Sequence, residues 1–337
     1  MIRNFPKLNK GDTIALIAPS FGCTTEPYFT RLNASIKRFE KEGYKIKLYP
    51  NVYLNEGVCS SNSPILRAKE FMDAYLDKEV KAIFSVGGGE LMCEILPFID
   101  FELIKNSEPK AFVGFSDNTN LTYLLTILAD VKTIYGPNAP SFYEKPWRLN
   151  EIDTIRLLEG EKEFVGYNKW SLGSRKNATN PLEKVRYNRQ KIIKVENYNE
   201  PFTGTLLGGC LDIIDLIRGT KFDKTIEFID NHQEGIIWYL ESCDFSPLDI
   251  RRAIFSMKEA GYFKNVKGFL FGRHLCQDAE ILGVNKYSAV LDLLKEYNVP
   301  ILFDVDLGHL PPSMPIKNGG FAEISIKNEN IYIKYLD

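Results

Sequence analysis

The chain has 337 residues, 44% of them apolar and 26% charged, and a net charge of −2. At roughly 150 residues per domain this length predicts about two domains, and the balanced charge leaves no footprint for nucleic acid or an acidic membrane surface. The six cysteines are scattered without a C-x-x-C pair, which argues against a structural zinc site and fits reduced thiols in the cytoplasm.

The N-terminus has no long apolar stretch before Thr13, so it does not read as a signal peptide. Asp12 to Ala18 is a short buried strand closed by Pro19-Ser20. Pro27 to Gly43 reads as a helix with Phe29, Leu32, Ile36 and Phe39 on its apolar face, ended by the glycine. Lys45 to Tyr49 is a second strand, Ser63 to Leu76 a helix with Pro64 in its first turn, and Val80 to Val86 a third strand running into Gly87-Gly88-Gly89. Leu91 to Leu96 begins a helix. Ala111 to Phe115 is the next strand, and a helix follows from about Thr119. Strands alternating with helices predict an α/β fold with a parallel sheet covered on both faces.

From about Trp147 to Pro201 the character changes. Asn168 to Asn199 is rich in Lys, Arg and Asn without a clear period, as in a domain connection or mobile loop. Trp170 stands in this polar company either to pin the connection to the body or to stack a substrate. Beyond it, Gly204 to Leu211 leads into a helix that ends at Gly219, and Gly235 to Leu240 is an apolar strand running into Glu241. Ser246, Pro247 and Asp249 mark a helix start. Val266 to Phe271 and Pro300 to Leu307 are further strands with a helix, Tyr287 to Tyr297, between them. Phe321 to Ile326 and Asn330 to Tyr335 read as a closing hairpin. The expected division is an N-terminal α/β domain over 1–146, a polar connection over 147–200, and a C-terminal α/β domain richer in strand over 201–337.

Chemistry gathers at the strand ends. Ser116 stands where the Ala111–Phe115 strand breaks into a helix, the position of a nucleophile elbow. Gly114, two residues before it, relieves the turn; Asn118, two after, replaces the usual second glycine and tolerates positive φ better than most residues. The alternative is that Ser116 is an ordinary N-cap. An activated serine needs a base and an orienting group. Of the three histidines, His232 lies in a polar turn, while His274 and His309 both follow strands; spacing does not separate these two. Glu241 is the orienting carboxylate, a surface carboxylate, or a salt-bridge partner for Arg251 or Arg252. Gly87-Gly88-Gly89 offers backbone N–H groups to a phosphate or an oxyanion. No G-x-G-x-x-G or Walker A motif is present, and a phosphoryl transferase using the Gly-rich turn is the rival enzyme reading. A small-ligand-binding protein in which Ser116 only caps a helix is the other.

Taken together, Gly11-Asp-Thr-Ile-Ala-Leu-Ile-Ala-Pro-Ser20, the glycine pair after the third strand, Gly114-Phe-Ser-Asp-Asn-Thr119, Phe202-Thr-Gly-Thr-Leu-Leu-Gly-Gly-Cys-Leu211, Trp238-Tyr-Leu-Glu241 and Gly308-His309 followed by Pro315 carry a resemblance. The chain resembles the LD-carboxypeptidase family of serine peptidases, which includes the microcin C immunity peptidases, over nearly its whole length. The resemblance implies a flavodoxin-like N-terminal domain carrying the nucleophile and a C-terminal domain of swivelling β/β/α type carrying its partners, with the site at the domain interface. It implies Ser116 as nucleophile, Glu241 as orienting carboxylate and His309, rather than His274, as base. It further implies a cytoplasmic homodimer that needs no metal or cofactor and acts on a small peptide or aminoacyl-nucleotide substrate. With those roles, the N–H of Asp117 and one from Gly88 or Gly89 are expected to hold the oxyanion. One departure stands out. Murein-cutting members commonly carry Arg-Gly-Gly-Tyr-Gly at the glycine loop, whereas this chain reads Val86-Gly-Gly-Gly-Glu90. That difference, with Trp170, is closer to the microcin-immunity branch. Trp170 is then the expected stacking platform, and Arg273 the candidate for the substrate carboxylate.

Overall fold

The computed structural model describes residues 2–173 and 179–337. The fold divides into two compact units. The first comprises residues 2–161 with 179–186 and 315–317, and the second comprises 162–173, 187–314 and 318–337.

In the first unit a six-stranded sheet runs in the order Lys45–Leu48, Thr13–Ile17, Val80–Ser85, Ala111–Gly114, Thr133–Tyr135, Ile316–Asn318. The first five strands are parallel neighbours. By chain order they read 2-1-3-4-5, the doubly wound order of flavodoxin-like folds. The strands are near-continuous apolar runs because both faces are covered: Ile83 and Phe112 from the sheet, Phe71 from helix Pro64–Leu76, and Leu121 and Leu125 from helix Thr119–Ala129 are all fully enclosed. In such a sheet the loops that leave the C-terminal strand ends make the site. Three of those loops carry Ser20, Gly87-Gly88-Gly89 and Ser116.

The second unit holds an eight-stranded sheet. Its centre is four parallel strands, Phe202–Cys210, Ile236–Glu241, Val266–Gly272 and Ile301–Val305. Each crossover carries helix, including Leu211–Ile217, Pro247–Glu259 and Ser288–Leu294. Helix Pro247–Glu259 starts as its sequence signals: Ser246 Oγ accepts from Asp249 N at 3.3 Å, and Asp249 Oδ2 accepts from Ser246 N at 3.1 Å. The hairpin Phe321–Lys327 and Asn330–Tyr335 packs antiparallel against Phe202–Cys210, and Glu163–Val165 extends that edge. Lys194–Glu196 pairs antiparallel with Ile301–Val305 at the other edge.

Some elements differ from expectation. The helix predicted from Leu91 is a 3-10 segment, Met92–Phe98, with Pro97 inside it; proline removes a donor and disfavours a regular α-helix there. The polar stretch after Asn168 contains a short antiparallel pair, Lys169–Trp170 with Arg189–Gln190. Residues 174–178 of that stretch lie outside the described residues. Among the described residues, no helix is long and apolar enough to cross a membrane.

Candidate active site

Ser116 has φ of 66°, in the left-handed region, although it carries a side chain. Non-glycine residues there are strained and concentrate at functional turns. The strain follows from the path of the chain. The strand ends at Gly114, Ser116–Asn118 is a 3-10 turn, and the α-helix starts only at Thr119 with Asn118 at its cap. Ser116 is therefore not the cap residue of that helix. Gly114 is dictated by Asn118: a Cβ at position 114 would meet Asn118 Cγ at 2.7 Å. Asn118 is not filling a glycine's place passively. Its Nδ2 donates to Gly87 O at 2.9 Å and Phe115 O at 3.0 Å, tying the serine turn to the glycine loop. The backbone N–H of Ser116 donates to Tyr135 Oη at 3.1 Å.

The glycine loop lies against the serine. A Cβ at Gly88 would sit 3.3 Å from Ser116 Cβ and 3.4 Å from its Oγ. At Gly89, with φ of 157°, a Cβ would collide with Ser20 Oγ. That hydroxyl donates to Asp117 Oδ2 at 2.5 Å, and Met92 N donates to the same oxygen at 3.0 Å. Asn120 Nδ2 donates to Asp117 Oδ1 at 3.0 Å. Burial pushes the Asp117 carboxyl up to about 6, against the pull of the bonds from Ser20 and Met92. Arg67, fully buried, braces the same loop by donating to Pro19 O at 3.0 Å and Leu91 O at 3.1 Å. Glu90 is exposed.

In the second unit Glu241 is completely enclosed. Its Oε2 lies 2.8 Å from His309 Nδ1. A carboxylate only accepts, so Nδ1 carries the proton, and in the neutral ring Nε2 is the nitrogen that can accept one. Two glycines make room for this pair. A Cβ at Gly308 would collide with Glu241 Oε2, and one at Gly272 would meet Glu241 Cβ at 2.9 Å. Burial opposes charge on His309, but the Glu241 carboxylate and hydrogen bonds to Cys243 and Glu241 outweigh it and hold the imidazole well above the usual histidine range.

The other histidines are placed differently. His274 is fully buried, neither ring nitrogen has a hydrogen-bond partner among the described residues, and burial pulls its pKa down to about 4. His232 stacks on Phe228 with ring centroids 4.1 Å apart. Arg251 and Arg252, the sequence-level partners for Glu241, are engaged elsewhere. Arg251 donates to Ser288 O at 3.0 Å and Arg252 to Asp249 Oδ1 at 2.7 Å.

Arg273 is buried, and its guanidinium donates to Asp306 Oδ1 at 2.7 Å, Pro312 O at 2.7 Å and Leu310 O at 3.1 Å. Trp170 is half-buried, with Nε1 donating to Gln190 O at 3.0 Å and its ring 5.5 Å from the Arg273 guanidinium. Both line a cavity of about 350 Å³ with Lys194, Lys286 and Tyr287 among its walls. Sequence reasoning missed Ser20, Arg67 and Tyr135. They are far from Ser116 in the chain, and only the strand order brings them to one edge.

Comparisons with known proteins place the chain in a family. A family model described as the LD-carboxypeptidase N-terminal domain matches residues 14–136, and the corresponding C-terminal domain model matches residues 203–324. The chain belongs to the LD-carboxypeptidase family of serine-type carboxypeptidases. It is 25% identical to the microcin C7 self-immunity protein MccF of Escherichia coli, across 99% of this chain and 97% of that one. The fold matches solved MccF in complex with glutamyl sulfamoyl guanosine at a TM-score of 0.84 and 23% identity, covering 99% of both chains. It also matches muramoyltetrapeptide carboxypeptidase from Oxalobacter formigenes at 0.73 and 20% identity, covering 96% of this chain and 99% of that one.

Proposed function

We propose that this carboxypeptidase cleaves an amide bond near a carboxyl terminus with Ser116 as nucleophile, His309 as general base and Glu241 as its orienting carboxylate. The observation that carries the reading is the enclosed hydrogen bond from His309 Nδ1 to Glu241 Oε2 at 2.8 Å. It supports a fixed imidazole tautomer with Nε2 as the working nitrogen. In this mechanism Ser116 Oγ attacks the carbonyl carbon while His309 Nε2 takes its proton. The N–H of Asp117 and one from Gly88 or Gly89 stabilise the oxyanion, at about 3 kcal/mol per donor. The protonated imidazole then gives its proton to the leaving amine, and water hydrolyses the acyl-serine by the same route reversed. No step calls on a metal. Activity is therefore expected to survive EDTA, and restoration of a chelator-killed enzyme by zinc would contradict the mechanism.

For the substrate we favour aminoacyl-nucleotide-like amides in addition to short murein-type peptides. The glycine loop has Val86 in place of the arginine common in murein-cutting relatives, and Glu90 puts a carboxylate nearby. Trp170 lines a cavity large enough for a small ligand, and MccF, of the same family, binds aminoacyl sulfamoyl nucleosides. Stacking a base on an indole contributes about 1–3 kcal/mol. Hydrolysis of an aminoacyl-sulfamoyl adenosine and a murein tetrapeptide, measured side by side, tests this. Trp170→Ala is expected to weaken use of the nucleotide substrate by about 10-fold, since ~1.4 kcal/mol is one decade, and to leave the peptide reaction nearly unchanged. Equal losses on both would assign Trp170 to bracing its own segment. Cleavage of the tetrapeptide alone would return the substrate to murein.

A further inference from the structure

We propose that Arg273 is a positioning residue that holds the segment carrying His309 in register with Glu241, an inference that rests on the reading of His309 as general base.

The segment from Asp306 to Met314 is irregular, and its ends are close: Met314 N donates to Asp306 O at 2.7 Å. His309 sits near its middle. Pro311 and Pro312 have no N–H, so this stretch has few donors of its own with which to staple itself. Buried carbonyls still need partners. Arg273 supplies them on the far side of His309, from Nη2 to Pro312 O at 2.7 Å and from Nε and Nη2 to Leu310 O at 3.3 and 3.1 Å. On the near side Nη1 reaches Asp306 Oδ1 at 2.7 Å, and the Arg273 backbone N–H donates to Leu307 O at 3.2 Å. One residue thus grips the segment on both sides of the histidine.

The anchor is itself fixed. Asp306 is fully buried and accepts from Lys191 Nζ and Tyr167 N, each at 2.7 Å. The Asp306 carboxylate, which also pairs with Lys191, keeps the guanidinium from being an unpaired buried charge. Gly272, immediately before Arg273, packs on Glu241 Cβ and on Leu307 O. The same strand end therefore lies against both the Glu241 side chain and the segment of its imidazole partner. Lysine cannot replace this arrangement, because an ammonium has no planar fork to reach two carbonyls and a carboxylate together. These bonds give Arg273 work inside the protein, in place of the substrate carboxylate expected from sequence.

The test uses Arg273→Ala and Arg273→Lys in the full chain, assayed on an aminoacyl-sulfamoyl adenosine and a murein tetrapeptide. Misplacing a reacting group by about 1 Å can cost 10²-fold, so kcat is expected to fall by about 100-fold in both variants, with KM for the murein tetrapeptide little changed. Arg273 lines the cavity beside Trp170, which gives added guanidinium ion a route to the vacated place. Guanidinium chloride well below denaturing concentration is expected to restore much of the Arg273→Ala rate, and sodium chloride at equal ionic strength is not. A readout independent of turnover is the NMR titration of the His309 ring, which is expected to move down towards the ordinary histidine range in both variants as contact with Glu241 loosens. Full kcat in both variants, or an unmoved His309 titration, would overturn the proposal. So would failure of both variants to fold, which would assign Arg273 to general stability. His309→Ala is the control: if it stays active, the general-base reading fails, while the titration still decides whether Arg273 positions the ring.

Discussion

Gly308 lies so close to Glu241 that a side chain at position 308 would collide with the carboxylate oxygen that holds His309. Its φ of 93° is also one that residues with a Cβ rarely adopt. Two independent requirements, space and backbone, therefore converge on one glycine next to the imidazole. Gly308→Ala is expected to destabilise the protein by about 1–3 kcal/mol, as for overpacking, and to lower turnover beyond the loss of folded protein. Thermal melting and kcat measured on the same preparation check this. An alanine variant with native melting and native kcat would mean that the Glu241 side chain relaxes freely.

Glu241→Gln addresses the electrostatics. The carboxylate favours the charged imidazole, so the base is protonated up to a pH above the usual histidine range. The acid limb of kcat/KM should therefore lie above that range, with activity rising as His309 loses its proton. Removing the negative charge makes the imidazolium less favourable, and its pKa falls. The limb of Glu241→Gln should move to lower pH while the plateau drops on the order of 10⁴-fold, the loss known for the equivalent amide in a serine protease triad. A limb that stays in place would separate Glu241 from the titration of His309.

Much of this architecture was readable from residue patterns, for reasons that also mark the limits. Apolar runs such as Val80 to Val86 and Ile236 to Leu240 read as strands because a parallel sheet covered on both faces needs continuous apolar residues. Ser116 stood out because strand and helix signals meet there. The enclosure of Glu241 by Gly272 and Gly308 was not readable, since the three residues come from different strand ends and meet only through the order of the sheet. The same holds for Ser20 and Met92 around Asp117. Thr133–Tyr135 is a three-residue strand, too short to show a period. The bonds from Arg273 to Leu310 and Pro312 were not readable either, because sequence cannot show which carbonyls turn towards a guanidinium.

Asp117→Asn tests the support beneath the serine turn. The folded pKa of about 6 lies above the ordinary 3.8, through burial. Its stabilising contribution is therefore fully present below 3.8 and is lost as pH rises through about 6. Asparagine does not titrate, so the dependence of stability on pH across that window should be shallower in the variant, by denaturant midpoints. At neutral pH the amide sets an N–H₂ group among donors from Ser20, Met92 and Asn120, at a cost of about 1–3 kcal/mol. An unchanged pH dependence would remove Asp117 from the titration.

The central claim is that Ser116 and His309 act as one unit, and a double-mutant cycle on kcat measures it most directly. Triad members are grossly non-additive. Ser116→Ala and His309→Ala should each lower kcat severely with the fold intact, and the double variant should be scarcely slower than either alone. His274→Ala, measured beside them, should keep much of the activity. Losses from Ser116→Ala and His309→Ala that multiply in the double variant would contradict the account, as would a His274→Ala variant as inactive as His309→Ala.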